Sequence, residues 1–140
     1  MIIAVDFDGT IVTHEYPNIG KEIPFAIDTL KRLQQSPDHQ IVLWTVRDGK
    51  ELDEAVEFCR SKGLEFYAVN NNYPEEVAEN GEPRKLKAEL FIDDRNLGGL
   101  PDWGVIYRMI MNKKYFDPIT NEIQQEYKLQ KKGFFKSIFG

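Results

Sequence analysis

Met1-Ile2-Ile3-Ala4-Val5-Asp6-Phe7-Asp8-Gly9-Thr10 opens the chain as a run of apolar or small residues that ends abruptly in acid. Such a run reads as a buried β-strand followed at once by a polar turn. Side chains alternate across a strand, so Asp6 and Asp8 share a face and Phe7 points away. Gly9 lets the backbone turn there without steric cost. Two carboxylates held this close repel unless a cation or a shared proton offsets them. The pair therefore calls for a metal ion, a shifted pKa, or both.

Working outward, helix and strand patterns alternate. Ile23, Ala26, Ile27, Leu30 and Leu33 recur at helical spacing, with Pro24 placed to suit a first turn and Ser36-Pro37-Asp38 to stop the helix. Ile41-Val42-Leu43-Trp44 is a second apolar run. Leu52, Ala55, Val56 and Cys59 mark a second amphipathic helix, with Gly63 where a C-terminal cap belongs. Leu64 to Val69 is a third strand, Asn70-Asn71-Asn72-Tyr73-Pro74 a loop, and Pro74 to Asn80 a candidate short helix. Leu90-Phe91-Ile92 is a fourth strand and again runs into acid, at Asp93-Asp94. The pattern from Trp103 to Lys114 fits either a helix or an edge strand.

This β-α-β-α-β order predicts an α/β fold with parallel strands joined by crossovers. In such sheets ligands bind outside the carboxyl ends of the strands. Asp6, Asp8, Thr45, Asn70, Asp93 and Asp94 all fall at predicted carboxyl ends, so one crevice is expected to collect them.

Composition sets the bounds. A chain of 140 residues makes one domain with a core of its own. The expected division is a core over 1–120 and a tail over 121–140. A net charge of -5 argues against a broad electrostatic grip on nucleic acid, and no nucleic-acid groove is expected. The single cysteine, Cys59, excludes an intramolecular disulfide and a cysteine-rich zinc site. No apolar run is long enough for a transmembrane segment, and the apolar start lacks the basic leader of a signal peptide. A cytoplasmic location is the resulting expectation.

Asp6-Phe7-Asp8-Gly9-Thr10 after a hydrophobic strand resembles the first motif of the haloacid dehalogenase (HAD) superfamily. Thr45 after its strand resembles the second motif, Lys85 the third, and Phe91-Ile92-Asp93-Asp94 the fourth, all in order over about residues 1–100. The resemblance implies a three-layer Rossmann-like domain with a central parallel sheet. It also implies Asp6 as a nucleophile toward phosphorus and Asp8 as the acid, then the base, of proton transfer. Thr45 and Lys85 would bind the phosphoryl group, and Lys85 would also offset charge on the nucleophile. Mg²⁺ would be held by Asp6, the backbone carbonyl of Asp8 and Asp94, with Asp93 acting through water or hydrogen bonds. Lys85 is preferred to Lys87 because its spacing to Asp93 fits the family pattern better; Arg84 reads as a surface residue.

Other residues carry two readings each. Arg47 either touches substrate or pairs with a carboxylate. His14 falls in a short flap and reads as a solvated loop residue or a substrate contact. Asn70, Asn71 and Asn72 either recognise a leaving group or serve as ordinary turn residues. Cys59, Trp44 and Trp103 read as packing residues. Neither the stretch from Thr10 to Gln40 nor that from Arg47 to Arg84 has room for a cap domain, so a minimal, capless member is expected. The function expected is Mg²⁺-dependent hydrolysis of a phosphate monoester, on a phosphorylated small molecule or an exposed phosphate group. Dehalogenation is disfavoured by Asp8 and the Asp93-Asp94 pair, and the alternative is a non-catalytic binding or assembly module. The stretch Lys131-Lys132-Gly133-Phe134-Phe135-Lys136-Ser137-Ile138-Phe139 reads either as a tail packed on its own domain or partly disordered, or as a segment that lies on an anionic membrane surface or docks on a partner subunit, which leaves a homo-oligomer possible.

Overall fold

Ile2–Val5, built of β-branched and small residues, forms the first strand (β1) and is buried from Ile3 onward. A computed structural model of the chain describes residues 1–76 and 85–117. Two compact units divide it, Met1–Leu100 and Pro101–Gly140, a boundary earlier than the one expected after residue 120. The expected tail over 121–140, Arg84, and the second half of the expected helix over 74–80 lie outside the described residues.

In the first unit β1 is joined by β2 (Gln40–Leu43), β3 (Ala68–Val69) and β4 (Leu90–Ile92). All pairings are parallel and the spatial order is β3-β2-β1-β4. The described part of the fold is therefore α/β with a parallel sheet, as the alternating pattern predicts. Ala4, Val42 and Ala68 share one face, where Leu86 completes a buried cluster and Ile2, Trp44, Ala88 and Phe91 pack around it. Ile3, Val5, Ile41 and Leu43 occupy the other face and are fully buried.

Helix α1 (Ala26–Gln35) buries Ala26, Ile27, Leu30 and Leu33, the residues its spacing singles out. It begins later than the periodicity predicts. Ile23 is still tied to the first turn, its N–H donating to Ile11 O at 2.8 Å, so Pro24 precedes the helix instead of opening it. Helix α2 (Gly49–Ser61) ends in a paired cap. Gly63, at φ 87, donates to Arg60 O at 2.9 Å, and Leu64 donates to Cys59 O at 2.9 Å. That cap explains why β3 is shorter than the expected strand over Leu64 to Val69: Leu64 is committed to the helix end, and contact with β2 starts only where Tyr67 N–H donates to Ile41 O. Lys31 and Gln34 of α1 donate to the carbonyls of Lys62 and Glu65, which ties α1 to the end of α2.

In the second unit, Trp103–Met111 is a helix, α3, which settles the ambiguity of that segment. Asp102 accepts from Gly104 N–H at 2.8 Å, and Trp103, Val105, Ile106 and Ile110 are buried. Cys59 is fully buried, and burial followed by the charge of Glu22 pushes its thiol up to about 12. Among the described residues no helix is long and apolar enough to cross a membrane.

Leu30 is 0% exposed on the packed side of α1. Leu30→Ala is expected to lower unfolding stability by about 2–5 kcal/mol, read by urea denaturation, because the cavity left behind collapses only in part.

Candidate active site

The ladder carries the acid pairs to one level. Val5 is in register with Leu43 and with Ile92. Asp6 N–H still donates to Ile92 O at 3.0 Å, so Asp6 leaves β1 directly beside the start of Asp93-Asp94. The chain then turns over Phe7, whose carbonyl accepts from the N–H groups of Thr10, Ile11 and Val12. Gly9 sits at φ 83 in this turn. A Cβ there would collide with the Asp94 carboxylate, so both the backbone conformation and the approach of Asp94 favour glycine.

Thr10 pins the two acidic segments together. Its hydroxyl is fully buried, lies 3.3 Å from both Asp6 Oδ2 and Asp94 Oδ1, and accepts from Asp94 N–H at 3.0 Å. Asp6, Asp93 and Asp94 each offer one oxygen, and these lie within 4.8 Å of one another. Burial pushes Asp6 up to about 7, reinforced by the charge of Asp93 and by the hydrogen bond and charge of Asp94. The Phe7 backbone N–H opposes this in part. Asp93 also accepts from Arg95 N–H at 2.9 Å, which fixes the start of the following loop.

Asp8 has a different partner. Arg47 donates Nε–H to Asp8 Oδ2 and Nη2–H to Asp8 Oδ1, both at 2.7 Å, and its side chain is 0% exposed. Of the two readings open for Arg47, pairing with a carboxylate is the arrangement the structure holds. Asp8 raises the Arg47 pKa above its ordinary value, first by hydrogen bonding and then by charge, while burial pulls the other way.

Thr45 and Asn70 meet at the ends of β2 and β3. Thr45 Oγ accepts from Arg47 N–H at 3.1 Å, and Thr45 N–H donates to Asn70 Oδ1 at 2.8 Å. Asn72 is engaged within its loop, donating to the Glu76 carboxylate and accepting from Lys87 N–H. Both asparagines thus serve the turn reading. Lys85 does not join the carboxylates: it is exposed, and its ammonium lies 5.3 Å from the centroid of the Phe91 ring. Phe91 packs with Ala4 and Val42, on the sheet face that the loop before β4 covers.

A cleft of about 350 Å³ opens over the acids, lined by Asp6, Asp8, His14, Tyr16, Val46, Asp93 and Arg95. His14 is exposed at this cleft, a position consistent with either of its readings. Thr10, Tyr16 and Arg95 were not singled out by the sequence. A hydroxyl four residues after Asp6 was the available sign for Thr10. For Tyr16 no local signal exists, since its role depends on Arg47 arriving from another segment.

The raised Asp6 has a consequence for stability. Between the ordinary value of 3.8 and about 7, the folded metal-free protein holds a proton that the unfolded chain has released. Stability is therefore lost as pH rises through that window. Asp6→Asn is expected to melt higher than the wild type in chelator, by a margin that grows from pH 4 to about 7 and then levels off.

A solved structure, described as that of a conserved protein from Bacteroides thetaiotaomicron, is 66% identical to this chain over 83% of its length and 93% of the other, with a TM-score of 0.76. No protein-family model matches the chain, and no curated protein matches it.

Proposed function

We propose that this chain, which belongs to the same family as that conserved Bacteroides thetaiotaomicron protein, is a Mg²⁺-dependent phosphatase of the haloacid dehalogenase type. The observation that carries the reading is the crowding of Asp6, Asp93 and Asp94 within 4.8 Å of one another, beside a cleft lined by Asp6, Asp8 and Asp93. Like charges gathered so closely, with Asp6 pushed up to about 7, favour a cation that accepts oxygen ligands. The donors are all hard oxygens, which fits Mg²⁺. Asp6 and Asp94 would hold it, with the Asp8 backbone carbonyl and Asp93, directly or through water. When bound, Mg²⁺ supplies positive charge to the phosphoryl oxygens and to Asp6.

The chain's own groups then divide the reaction. An Asp6 oxygen forms a bond to phosphorus as the ester P–O bond breaks, and Asp8, which must take up a proton before this step, gives it to the leaving oxygen. Water next attacks the aspartyl-phosphate, Asp8 takes the proton, and inorganic phosphate leaves with Asp6 restored. The Thr45 hydroxyl donates to a phosphoryl oxygen. The lysine role stays with Lys85 and requires its ammonium to move off the Phe91 ring.

This reading includes a three-layer Rossmann-like core without a cap. Between β1 and β2 the chain has only the first turn, the arm over 13–22 and α1, and the described stretch over 47–76 has only α2, β3 and a loop. An open cleft suits a phosphorylated small molecule or an exposed phosphate group in the cytoplasm, and ready access of water favours hydrolysis over transfer.

Phosphate release from a panel of monoesters, with Mg²⁺ and with chelator, tests the proposal. Turnover that needs Mg²⁺ and disappears in Asp6→Asn is expected. Failure of the whole panel, together with no Mg²⁺ binding by calorimetry, would favour a non-catalytic binding module. Gly9→Ala should weaken Mg²⁺ binding about tenfold or more in the same calorimetry, since its Cβ would displace the Asp94 carboxylate.

A further inference from the structure

Arg47 uses every hydrogen-bond donor of its guanidinium. Two go to Asp8, at 2.7 Å each. Nη2 also donates to Asn18 O at 2.8 Å, and Nη1 donates to Pro17 O at 3.2 Å and to Glu51 O at 3.3 Å. Both aromatic neighbours present ring faces to it, Phe7 at 5.0 Å and Tyr16 at 5.1 Å. One fully buried side chain thus joins the acidic turn, the arm that carries His14, Tyr16, Pro17 and Asn18, and the first turn of α2.

A structural ion pair needs only the two bonds to Asp8. The other three reach carbonyls, and two of these belong to an arm whose Tyr16 and His14 line the cleft beside Asp6. Any displacement of that arm must either break bonds to a buried charge or carry the guanidinium, and with it Asp8. Each Asp8 oxygen keeps lone-pair capacity beyond its bond to Arg47, and Asp8 lines the cleft. The clamp therefore fixes where Asp8 points without filling it.

The geometry points to Arg47 as the positioning residue that couples the cleft-lining arm to Asp8, so that the cleft wall formed by His14 and Tyr16 and the group that protonates the leaving oxygen move as one. This rests on the reading of Asp8 as the proton donor. Lysine has one compact ammonium with three donors, and cannot reproduce a planar fork that spans a carboxylate and three carbonyls.

The test uses the full chain with Mg²⁺ and a series of substituted phenyl phosphates of nearly equal shape. kcat/KM reports the steps through phosphoryl transfer to Asp6. p-Nitrophenolate leaves without a proton, whereas the leaving group of phenyl phosphate needs one. Arg47→Met is expected to lower kcat/KM for phenyl phosphate by about tenfold or more beyond its effect on p-nitrophenyl phosphate, with Arg47→Lys intermediate. Asp8→Asn should show the same bias. Equal losses across the series, with the Asp8→Asn bias intact, would overturn the coupling and leave Arg47 a structural residue. Amide hydrogen exchange gives a readout that needs no turnover and can be made on Arg47→Lys if Arg47→Met does not fold. Faster exchange at Tyr16 and Asn18 in the variant supports the coupling, and unchanged exchange there overturns it. Wild-type protein silent on every ester would overturn the phosphatase reading instead, and the exchange would still decide whether Arg47 holds the arm.

Discussion

Parallel pairing of β1 with β4 forces carboxylates together. Once Val5 is in register with Ile92, the next residue of one strand and the next two of the other are acidic and adjacent. The repulsion is built into the ladder, because Asp6 N–H is itself bonded to Ile92 O. The surrounding structure manages it locally. Gly9 clears space for Asp94, and the Thr10 hydroxyl bridges the two segments. Burial first, and then the repulsion that remains from Asp93 and Asp94, pushes Asp6 up to about 7.

Asp6 and Asp8 lie two residues apart and meet opposite surroundings. Asp6 faces other carboxylates under partial burial, whereas Asp8 faces a buried guanidinium with bonds to both oxygens. Neighbouring acids of one short segment are thereby placed in different surroundings. Here the separation comes from topology: β4 delivers like charge to Asp6, and the segment after β2 delivers Arg47 to Asp8. The same delivery draws in the arm, so the cleft wall and the acidic floor share a support.

Much of this was legible in the sequence because the sheet is built from short apolar runs that end in acid. β1, β2 and β4 fall within a residue of the expected runs, and the convergence of Asp6, Asp93 and Asp94 follows from parallel order. β3 was read too long because Leu64 looks like a strand residue and is instead claimed by the cap of α2. The start of α1 was read too early because Ile23 fits the helical period and is held by Ile11. The Arg47 clamp was legible only as an even choice. Its five acceptors come from the turn, the arm and α2, and no local pattern encodes that meeting. The position of Lys85 over Phe91 escaped for a related reason: the spacing to Asp93 says how far the lysine is along the chain, not which sheet face its ammonium reaches.

The most direct measurement is mass spectrometry of acid-quenched protein taken during steady turnover of p-nitrophenyl phosphate with Mg²⁺. One phosphoryl group carried on the peptide that contains Asp6, and absent from Asp6→Asn, is the result expected if crowding at Asp6 serves covalent catalysis. Turnover with no phosphoryl group on that peptide, or with the group on another residue, would contradict it.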